Sequence, residues 1–180
     1  MEFKNTKSLK SDIIFIGIDQ SLTNTGLTII KNNQEIIFSK SFGTKPILSF
    51  EERLLSIKSF LFNIIKNYNP EYTAIALEGL AFNRNKTNNS AILFGLFSVI
   101  LTTMCEMGYR YSIIPPTSLK KFVTGNGRSD KLELIDMIPD NDKRILLNLS
   151  GIKDTNAKKF EDISDSYWLA KVKLNEHLFN

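Results

Sequence analysis

Four acidic residues in this chain are placed where their carboxylates could act together. Asp19 and Glu78 each end a short apolar run, which is the pattern of a buried strand that leaves the core at its last residue. Asp162 and Asp165 are three residues apart, so on a helix they share one face. A carboxylate at such a position loses hydration and needs a bound partner. Together, the four acids predict a site that binds positive charge.

Each acid also has an ordinary structural explanation when it is taken alone. Asp19 could cap the polar turn 20–26 that follows it. Asp162 and Asp165, with Glu161, could interact only with the dipole at the start of the last helix. The presence of acids at the ends of two strands and near the start of one helix favours a shared site.

The rest of the sequence restricts which cation such a site could bind. The chain has one histidine, His177, and one cysteine, Cys105, so neither a zinc site nor a Ser-His or Cys-His catalytic pair is expected. Oxygen ligands alone favour Mg²⁺ or Mn²⁺. Two such ions ~3.5–4 Å apart can activate a water molecule and stabilise the leaving oxygen of a phosphodiester. The predicted chemistry is therefore metal-assisted phosphodiester hydrolysis.

The predicted elements bring these acids to one edge of a sheet. Three strands, at 13–19, 26–31 and 35–42, form an antiparallel meander, and helix, strand, helix, strand and helix follow. This order indicates an α/β protein with a mixed sheet flanked by helices. The strands that end at Asp19 and Glu78 are adjacent and parallel if the helix between them makes a right-handed crossover. Open α/β sheets bind their ligands at that edge.

In the sequence, the capping residues that mark the ends of the predicted helices are less clear than the apolar spacing along them. Ser49 is a plausible N-cap for a helix that reaches about Tyr68, and Thr117 is the expected cap of a short basic helix. A long apolar helix at 90–107 is interrupted by polar residues, so we expect it to be buried in the protein and not to cross a membrane. Its Cys105 is expected to lie in the core. The last helix is predicted at 160–178.

Composition indicates one ordinary globular domain with a basic surface. The chain has 180 residues, a net charge of +4 and a pI of about 9.1, which mildly favours a polyanionic partner. The polar segment 1–11 is predicted to be a flexible basic tail without the apolar region of a signal peptide, and 12–180 to be a single domain. We expect a cytoplasmic protein, in bacteria or in a phage-infected host, with no membrane partner.

Several motifs in order resemble the RuvC family of Holliday-junction resolvases, within the RNase H-like superfamily. The resemblance runs from about Ile13 to Lys173. Its motifs are, in order, Gly17-Ile18-Asp19 with Leu22-Thr23-Asn24-Thr25-Gly26, then Ala76-Leu77-Glu78, Ser90-Ala91 with Gly95, Pro116-Thr117-Ser118-Leu119-Lys120-Lys121 with Val123-Thr124-Gly125-Asn126-Gly127 and Lys131, and last Asp162-Ile163-Ser164-Asp165 with Ala170. Each motif alone is weak, but their order and spacing make a specific match to the family. The departures from the family pattern suggest a divergent branch, for which a phage-type member is the candidate.

The resemblance implies an RNase H-like fold and a Mg²⁺-dependent endodeoxyribonuclease. Such an enzyme resolves Holliday junctions or related branched DNA by paired hydrolysis of phosphodiesters. By resemblance, the four acids hold two Mg²⁺ ions, for which Mn²⁺ is a plausible substitute, and two lysines assist near the scissile phosphate. An aromatic residue after the second motif would stack on a base at the junction centre. The implied residues are Asp19, Glu78, Asp162 and Asp165 for the metals, Lys120 and Lys131 for catalysis, and Phe82 for stacking.

The remaining expectations concern partners and alternatives. We predict that Arg84, Lys86, Lys121 and Arg128 bind DNA, since they lie in basic clusters in or near predicted loops. A four-way junction has two equivalent strands to cut, which suggests a homodimer with the helix at 90–107 as its candidate interface. The alternatives are an actin-like nucleotide phosphotransferase, which needs a second domain and phosphate motif, and a junction-binding module without catalysis.

The chain also departs from the family pattern at identifiable places. Ser166 stands where alanine is usual, and the stretch from Leu96 to Val99 lacks the polar residues that the family often carries there. The segment 139–160 is longer than in typical bacterial members, and no role can be assigned to it from the sequence.

Overall fold

A computed structural model describes residues 12–80 and 87–179 of the chain. The predicted tail 1–11 and the candidate DNA-binding residues Phe82, Arg84 and Lys86 lie outside these ranges. In the described part, the five strands are β1 (Ile14–Asp19), β2 (Asn24–Lys31), β3 (Ile36–Gly43), β4 (Thr73–Glu78) and β5 (Arg110–Ile114). The helices are α1 (Phe50–Ile65), α2 (Thr87–Glu106), α3 (Pro116–Thr124), α4 (Lys131–Asp136), α5 (Asp140–Ser150) and α6 (Lys158–Phe179).

The strands form one mixed sheet in the order β3-β2-β1-β4-β5. The antiparallel meander is confirmed, with Asp19 of β1 opposite Gly26 of β2. The parallel pairing of β1 and β4 is also confirmed, with Ile18 opposite Leu77. The predicted α/β architecture, a five-stranded mixed sheet flanked by helices, is therefore correct, and Asp19 and Glu78 end neighbouring strands.

The two faces of the sheet build two apolar layers. Ile16 and Ile18 of β1 point into the layer beneath α1 and α2. Phe15, the residue before Ile16, points into the layer beneath α6. This alternation follows from the two-residue period of a strand. Tyr167 of α6 and Leu146 of α5 belong to the second layer, so both helices cover the same face.

The prediction for the start of α1 is confirmed in detail. Ser49 accepts a hydrogen bond from the Glu52 N–H at 3.2 Å, and the Glu52 carboxylate accepts one from the Ser49 N–H at 2.7 Å. This reciprocal pair is a capping box, which satisfies two N–H groups that a helix start leaves unpaired. Buried Ile57, Leu61 and Ile65 then follow at helical spacing.

Two predictions for the helices are wrong. Cys105 is exposed, because it lies on the outer face of α2, whereas Leu96, Ile100 and Met104 face the sheet. Thr117 does not cap α3, since the N-cap is Pro115 and Pro116 occupies the first turn. Proline fixes φ near the helical value, so it starts the helix without a side-chain cap.

The long apolar helix is only half-buried. Ile92 and Phe94 of α2 are 39% and 48% exposed, so this helix has one buried face and one exposed apolar face. In the described residues, no helix combines the length and apolar character that crossing a membrane requires. The segment 139–160 contains α5, which ends at Gly151 and packs against β3.

Candidate active site

Two glycines allow α6 to lie directly on the strands that carry the site. A Cβ atom on Gly17 of β1 would lie 1.9 Å from the Ser166 carbonyl oxygen, and one on Gly26 of β2 would lie 2.1 Å from the Asp162 carbonyl oxygen. Real Cβ atoms do not approach backbone this closely. The close contact places Asp162 and Asp165 of α6 over the ends of β1 and β2. Both glycines belong to the first sequence motif, but their packing role depends on a partner 140 or so residues away and is not visible in sequence.

The structure brings the four predicted acids within electrostatic range of one another. Asp19 and Asp165 are buried, at 6% and 4% exposure, and Glu78 and Asp162 are half-buried. Asp19 and Glu78 contact each other through their side chains, as expected for the last residues of adjacent parallel strands. The predicted convergence at the carboxyl edge of the sheet is what the geometry supports.

Burial and mutual repulsion make these carboxyl groups hard to ionise without a cation. Burial raises the pKa of Asp19 well above its usual value, and the charges of Glu78 and Asp165 raise it further. Burial also raises the pKa of Glu78 to about 7 and that of Asp162 to about 6. The pKa of Asp165 is raised chiefly by burial as well. Such shifts are expected where carboxylates share a poorly solvated site.

Lys131 supplies positive charge at this cluster. Its Nζ lies 2.9 Å from Asp165 Oδ2 and 3.8 Å from Glu161 Oε2. Burial acts to lower the pKa of Lys131, but the neighbouring charge of Asp165, followed by those of Asp19 and Glu161, outweighs it and the pKa is raised. The charge of Lys120 lowers the pKa of both Glu78 and Asp165. Both predicted lysines therefore lie near the acids.

A hydrogen-bonded turn fixes Lys131 at the start of α4. Buried Ser129 donates to Glu133 Oε2 at 2.8 Å, and its hydroxyl lies 2.8 Å from Thr124 Oγ1 at the end of α3. Asp130 caps α4 by accepting from the Glu133 N–H at 2.9 Å. These contacts join α3 to α4, and they explain why a lysine on a short helix is aimed at α6.

Gln20 joins the ends of β1 and β4. Its Nε2 donates to the Glu78 carbonyl oxygen at 2.5 Å, across the gap between the two strands. The residue is 8% exposed, and within the described part of the chain its Oε1 has no hydrogen-bond partner. A buried, unsatisfied carbonyl oxygen beside Asp19 is unusual, because most such atoms are paired. Gln20 is not among the residues predicted from sequence, because its partner is a backbone atom 58 residues away.

Several hydrogen bonds hold the turn after Asp19 in place. Thr25 Oγ1 donates to the Ser21 carbonyl oxygen at 2.8 Å, and the Arg53 guanidinium donates to the Leu22 carbonyl oxygen at 2.8 Å. Thr44 Oγ1 also donates to Leu22 O at 2.5 Å. A phosphate loop presents free N–H groups to its ligand. In this turn, the Thr23 N–H donates to Ser21 Oγ at 3.3 Å and the Ser21 N–H donates to Thr25 Oγ1 at 3.4 Å, so these N–H groups are already paired.

Ser166, which departs from the family pattern, belongs to a buried hydroxyl chain under the site. Its Oγ is 2.8 Å from Thr28 Oγ1 and donates to the Ile163 carbonyl oxygen at 3.0 Å. Thr28 Oγ1 is in turn 3.2 Å from Ser39 Oγ. The Ser166 hydroxyl is therefore hydrogen-bonded to α6 and to β2, and Thr28 extends this chain of hydroxyl groups to β3.

The residues present suit a hard cation, although they do not form a ready-made site. Within residues 12–80 and 87–179, no group of three or more histidine, cysteine or acidic side chains is arranged to hold a metal ion. Lys131 occupies one side of Asp165, and the acids repel one another. The donor set is nevertheless oxygen-only, since it consists of the four carboxylates. This donor chemistry fits Mg²⁺ or Mn²⁺.

The two predicted DNA-binding residues that the structure describes lie apart from the acids. Lys121 is exposed on α3, and Arg128 is exposed in the turn before α4. In the described residues, neither forms an ion pair with the acidic cluster. Their role stays a prediction.

Comparisons with known proteins agree on one family. The profile of the family described as "Crossover junction endodeoxyribonuclease RuvC" matches residues 15–170. A protein of that name from Treponema denticola is 34% identical over 140 residues, which cover 76% of this chain and 74% of that protein. One from Halothermothrix orenii is 28% identical over 172 residues, which cover 93% and 96%.

A solved structure has the same fold. Thermus thermophilus RuvC in complex with a Holliday junction substrate superposes with a TM-score of 0.67 at 19% identity, over 88% of this chain and 90% of that one. The RNase H-like, resolvase-type fold expected from the sequence is thereby confirmed.

Proposed function

The chain belongs to the RuvC family of crossover junction endodeoxyribonucleases, and from this membership we propose that it cleaves four-way DNA junctions with the help of divalent metal ions. The observation that carries the proposal is the convergence of Asp19, Glu78, Asp162 and Asp165 at one edge of the sheet. Relatives that carry the family name are endonucleases by that name. We infer that residues 12–180 act as one nuclease domain.

The four acids are the proposed ligands of two Mg²⁺ ions. When bound, the ions would supply charge stabilisation and an activated water at the scissile phosphate. The raised pKa values of Glu78 and Asp162 support this assignment, because a cation would offset the burial, and the smaller repulsion from Asp165, that keep these groups from ionising. Lys120 and Lys131 are proposed to face the phosphate, where their charges would balance the developing negative charge.

A homodimer is the proposed assembly, since two equivalent sites would cut the two equivalent strands of a junction. The exposed apolar face of α2 supports this proposal, with Ile92 39% exposed. On α1, Leu55 is 62% exposed and borders a cleft of about 450 Å³ that Ser98, Val99 and Thr102 of α2 also line. Exposed apolar surface of this kind is typical of interaction sites.

The oligomeric state can be measured directly. Ile92→Glu should shift the protein to monomer in sedimentation-velocity experiments, because a buried unpaired charge opposes association. Leu178→Glu changes an exposed residue at the far end of α6 and is the matched control. A dimer that survives Ile92→Glu would place the interface elsewhere.

Cleavage assays on synthetic DNA test the activity itself. Four-way, three-way and flap substrates are incubated with Mg²⁺ or with EDTA, and the cut positions are mapped on every strand. Metal-dependent, symmetric cuts near the branch of the four-way junction support resolution. Binding without cutting would indicate a junction-binding module, and nucleotide hydrolysis without DNA would indicate a phosphotransferase.

We also propose a cytoplasmic location, because the single cysteine in the sequence suits a reducing compartment.

A further inference from the structure

A cleft of about 410 Å³ lies between β3 and the loop that joins α5 to α6. This loop belongs to the segment 139–160, for which the sequence offers no role. We call the cleft the side cleft. Its walls are Ser41, Ser150, Gly151, Ile152, Lys153, Asp154, Ala157 and Lys159.

The side cleft opens next to the acidic cluster. Ser41, which lines it, donates a hydrogen bond from Oγ to Asp162 Oδ2 at 3.3 Å. Ser41 lies near the end of β3, which runs parallel to β1 because both pair antiparallel with β2. The cleft and the carboxylates are therefore at the same edge of the sheet, with Ser41 as their shared boundary.

The loop that forms the outer wall has a defined shape. Gly151 ends α5 in the left-handed region, at φ 72°, and its N–H donates to the Leu147 carbonyl oxygen. The Ile152 N–H donates to Ser150 Oγ at 3.3 Å, and the Asn156 N–H donates to Asp154 Oδ1 at 2.9 Å. These bonds hold the loop in a turn that presents Lys153 to the cleft, while Lys159 lines it from the first turn of α6.

The charge of the side cleft is available for a ligand. Lys153 and Lys159 are exposed, and within the described residues neither forms an ion pair. The acid of the lining, Asp154, is partly engaged by the loop N–H of Asn156. Two lysines against one acid leave a net positive lining beside the place where a phosphodiester would be cut.

We propose that the side cleft binds a backbone phosphate of the DNA strand next to the phosphate that is hydrolysed. Lys153 and Lys159 would neutralise that phosphate. The strand would pass Ser41, which lies between the acids and the cleft. The proposal rests on the proposed nuclease function and gives segment 139–160 a role in holding the cleaved strand. An acidic protein segment is the less favoured occupant, because the cleft opens directly at the acids.

Salt dependence of binding tests this assignment. The affinity of the full-length protein for a fluorescent four-way junction is measured by anisotropy in EDTA over a range of salt. Each phosphate contact contributes about 0.7 to 0.9 to the slope of log affinity against log salt. We expect the double variant Lys153→Ala/Lys159→Ala to reduce that slope by about 0.7 to 1.8, for loss of one or two contacts. An unchanged slope and affinity would overturn the proposal, whether or not the cleft binds a protein.

A matched control separates the side cleft from general charge. Lys31→Ala/Lys66→Ala removes the same number of charges at the opposite end of the sheet, where Lys31 pairs with the first residue of β1. This control should leave the slope close to that of the unmodified protein. Equal effects from both double variants would contradict a local phosphate site. Thermal unfolding of both proteins establishes that they are folded.

Single neutral phosphates identify the position on the DNA. A methylphosphonate is placed at one backbone position at a time near the mapped cut. One substitution should weaken binding by the unmodified protein several-fold and leave the Lys153→Ala/Lys159→Ala variant unaffected. If no position shows this difference, the side cleft does not contact the strand. A protein that neither binds nor cuts any junction would instead refute the proposed function, so the two failures are distinguishable.

Discussion

The ammonium group of Lys131 lies 2.9 Å from Asp165 Oδ2 and within electrostatic range of Asp19. The positive charge of Lys131 therefore interacts with two of the proposed metal ligands, Asp165 and Asp19. Because like-charged carboxylates cannot all ionise in one buried site, this lysine stabilises the acidic cluster in the absence of metal. It is also placed to contact the phosphate of a bound strand.

Replacement of Lys131 should therefore slow catalysis and remove a charge that lowers the pKa of Asp165 and Asp19. We expect Lys131→Met to slow cleavage of a four-way junction at least about tenfold, which corresponds to about 1.4 kcal/mol of transition-state stabilisation. Single-turnover cleavage at saturating protein measures the rate without a contribution from binding. Lys121→Met changes an exposed lysine on α3 and serves as the control. Equal rates for the two variants would remove Lys131 from the proposed site.

Asp165→Asn should abolish cleavage and leave junction binding intact. The amide keeps the shape of the side chain but removes the charge that a metal ion requires. Cleavage is followed with Mg²⁺, and binding is measured by anisotropy in EDTA. Asp130→Asn alters an exposed cap of α4 that an asparagine can also provide, so it should retain activity. Parallel loss of cutting and binding in Asp165→Asn would argue against a metal-binding role.

Stability without metal should fall as the pH rises towards neutrality. In the folded protein, the pKa of Glu78 is raised by burial from 4.5 to about 7, and that of Asp162 from 3.8 to about 6. Between the unfolded and the folded pKa of each group, the folded state binds more protons than the unfolded chain. The free energy of unfolding therefore decreases as the pH rises through that range. One pKa unit corresponds to about 1.4 kcal/mol. We expect a loss of roughly 1–3 kcal/mol between about pH 5 and pH 7.

Urea denaturation in EDTA measures this pH dependence. Glu78→Gln should flatten it, whereas Glu71→Gln, which alters an exposed residue, should not. Added Mg²⁺ should restore stability near neutral pH, because a ligand that binds only the folded state stabilises it. A stability profile that is the same in Glu78→Gln and in the unmodified protein would show that Glu78 does not titrate in this range.

The acids were predictable from sequence because their signals are local. A strand that ends in Asp19 or Glu78 shows an apolar run and then an acid, and the i, i+3 spacing of Asp162 and Asp165 defines a helix face. The contacts of Gly17 and Gln20 could not be predicted in this way, since each depends on a backbone atom from a distant element. The exposure of Cys105 was mispredicted because α2 is apolar on both faces, so periodicity does not show which face is buried.

The packing of Gly17 predicts a large cost for one added methyl group. Gly17→Ala would push a Cβ into the Ser166 carbonyl oxygen, so α6 must move away from β1. We expect a loss of about 3 kcal/mol or more in the free energy of unfolding, together with loss of cleavage. Gly95→Ala is the control, since its Cβ would meet the end of the Phe50 ring, which can rotate away. A Gly17→Ala protein as stable as Gly95→Ala would contradict the close approach of α6.

Gln20 should tune metal binding through its contact with the Glu78 backbone. Gln20→Met keeps the size of the side chain but removes the donor to the Glu78 carbonyl oxygen and the unpaired Oε1. The ends of β1 and β4 would then lose this side-chain hydrogen bond beyond their last paired residues, so the separation of Asp19 and Glu78 would be less fixed. Changes in groups that orient metal ligands typically cost about 10- to 100-fold in affinity. We therefore expect Mn²⁺ to bind at least about tenfold more weakly.

Mn²⁺ binding can be measured by electron paramagnetic resonance on the DNA-free protein, independently of cleavage. Gln20→Glu is the informative second variant, because it keeps the side-chain oxygen and replaces the donor by a second acceptor that repels the Glu78 carbonyl oxygen. If the donor to Glu78 is what matters, both variants should weaken Mn²⁺ binding. If the side-chain oxygen is what matters, Gln20→Glu should bind Mn²⁺ as well as or better than the unmodified protein. Unchanged Mn²⁺ affinity in Gln20→Met would show that Gln20 has only a structural role.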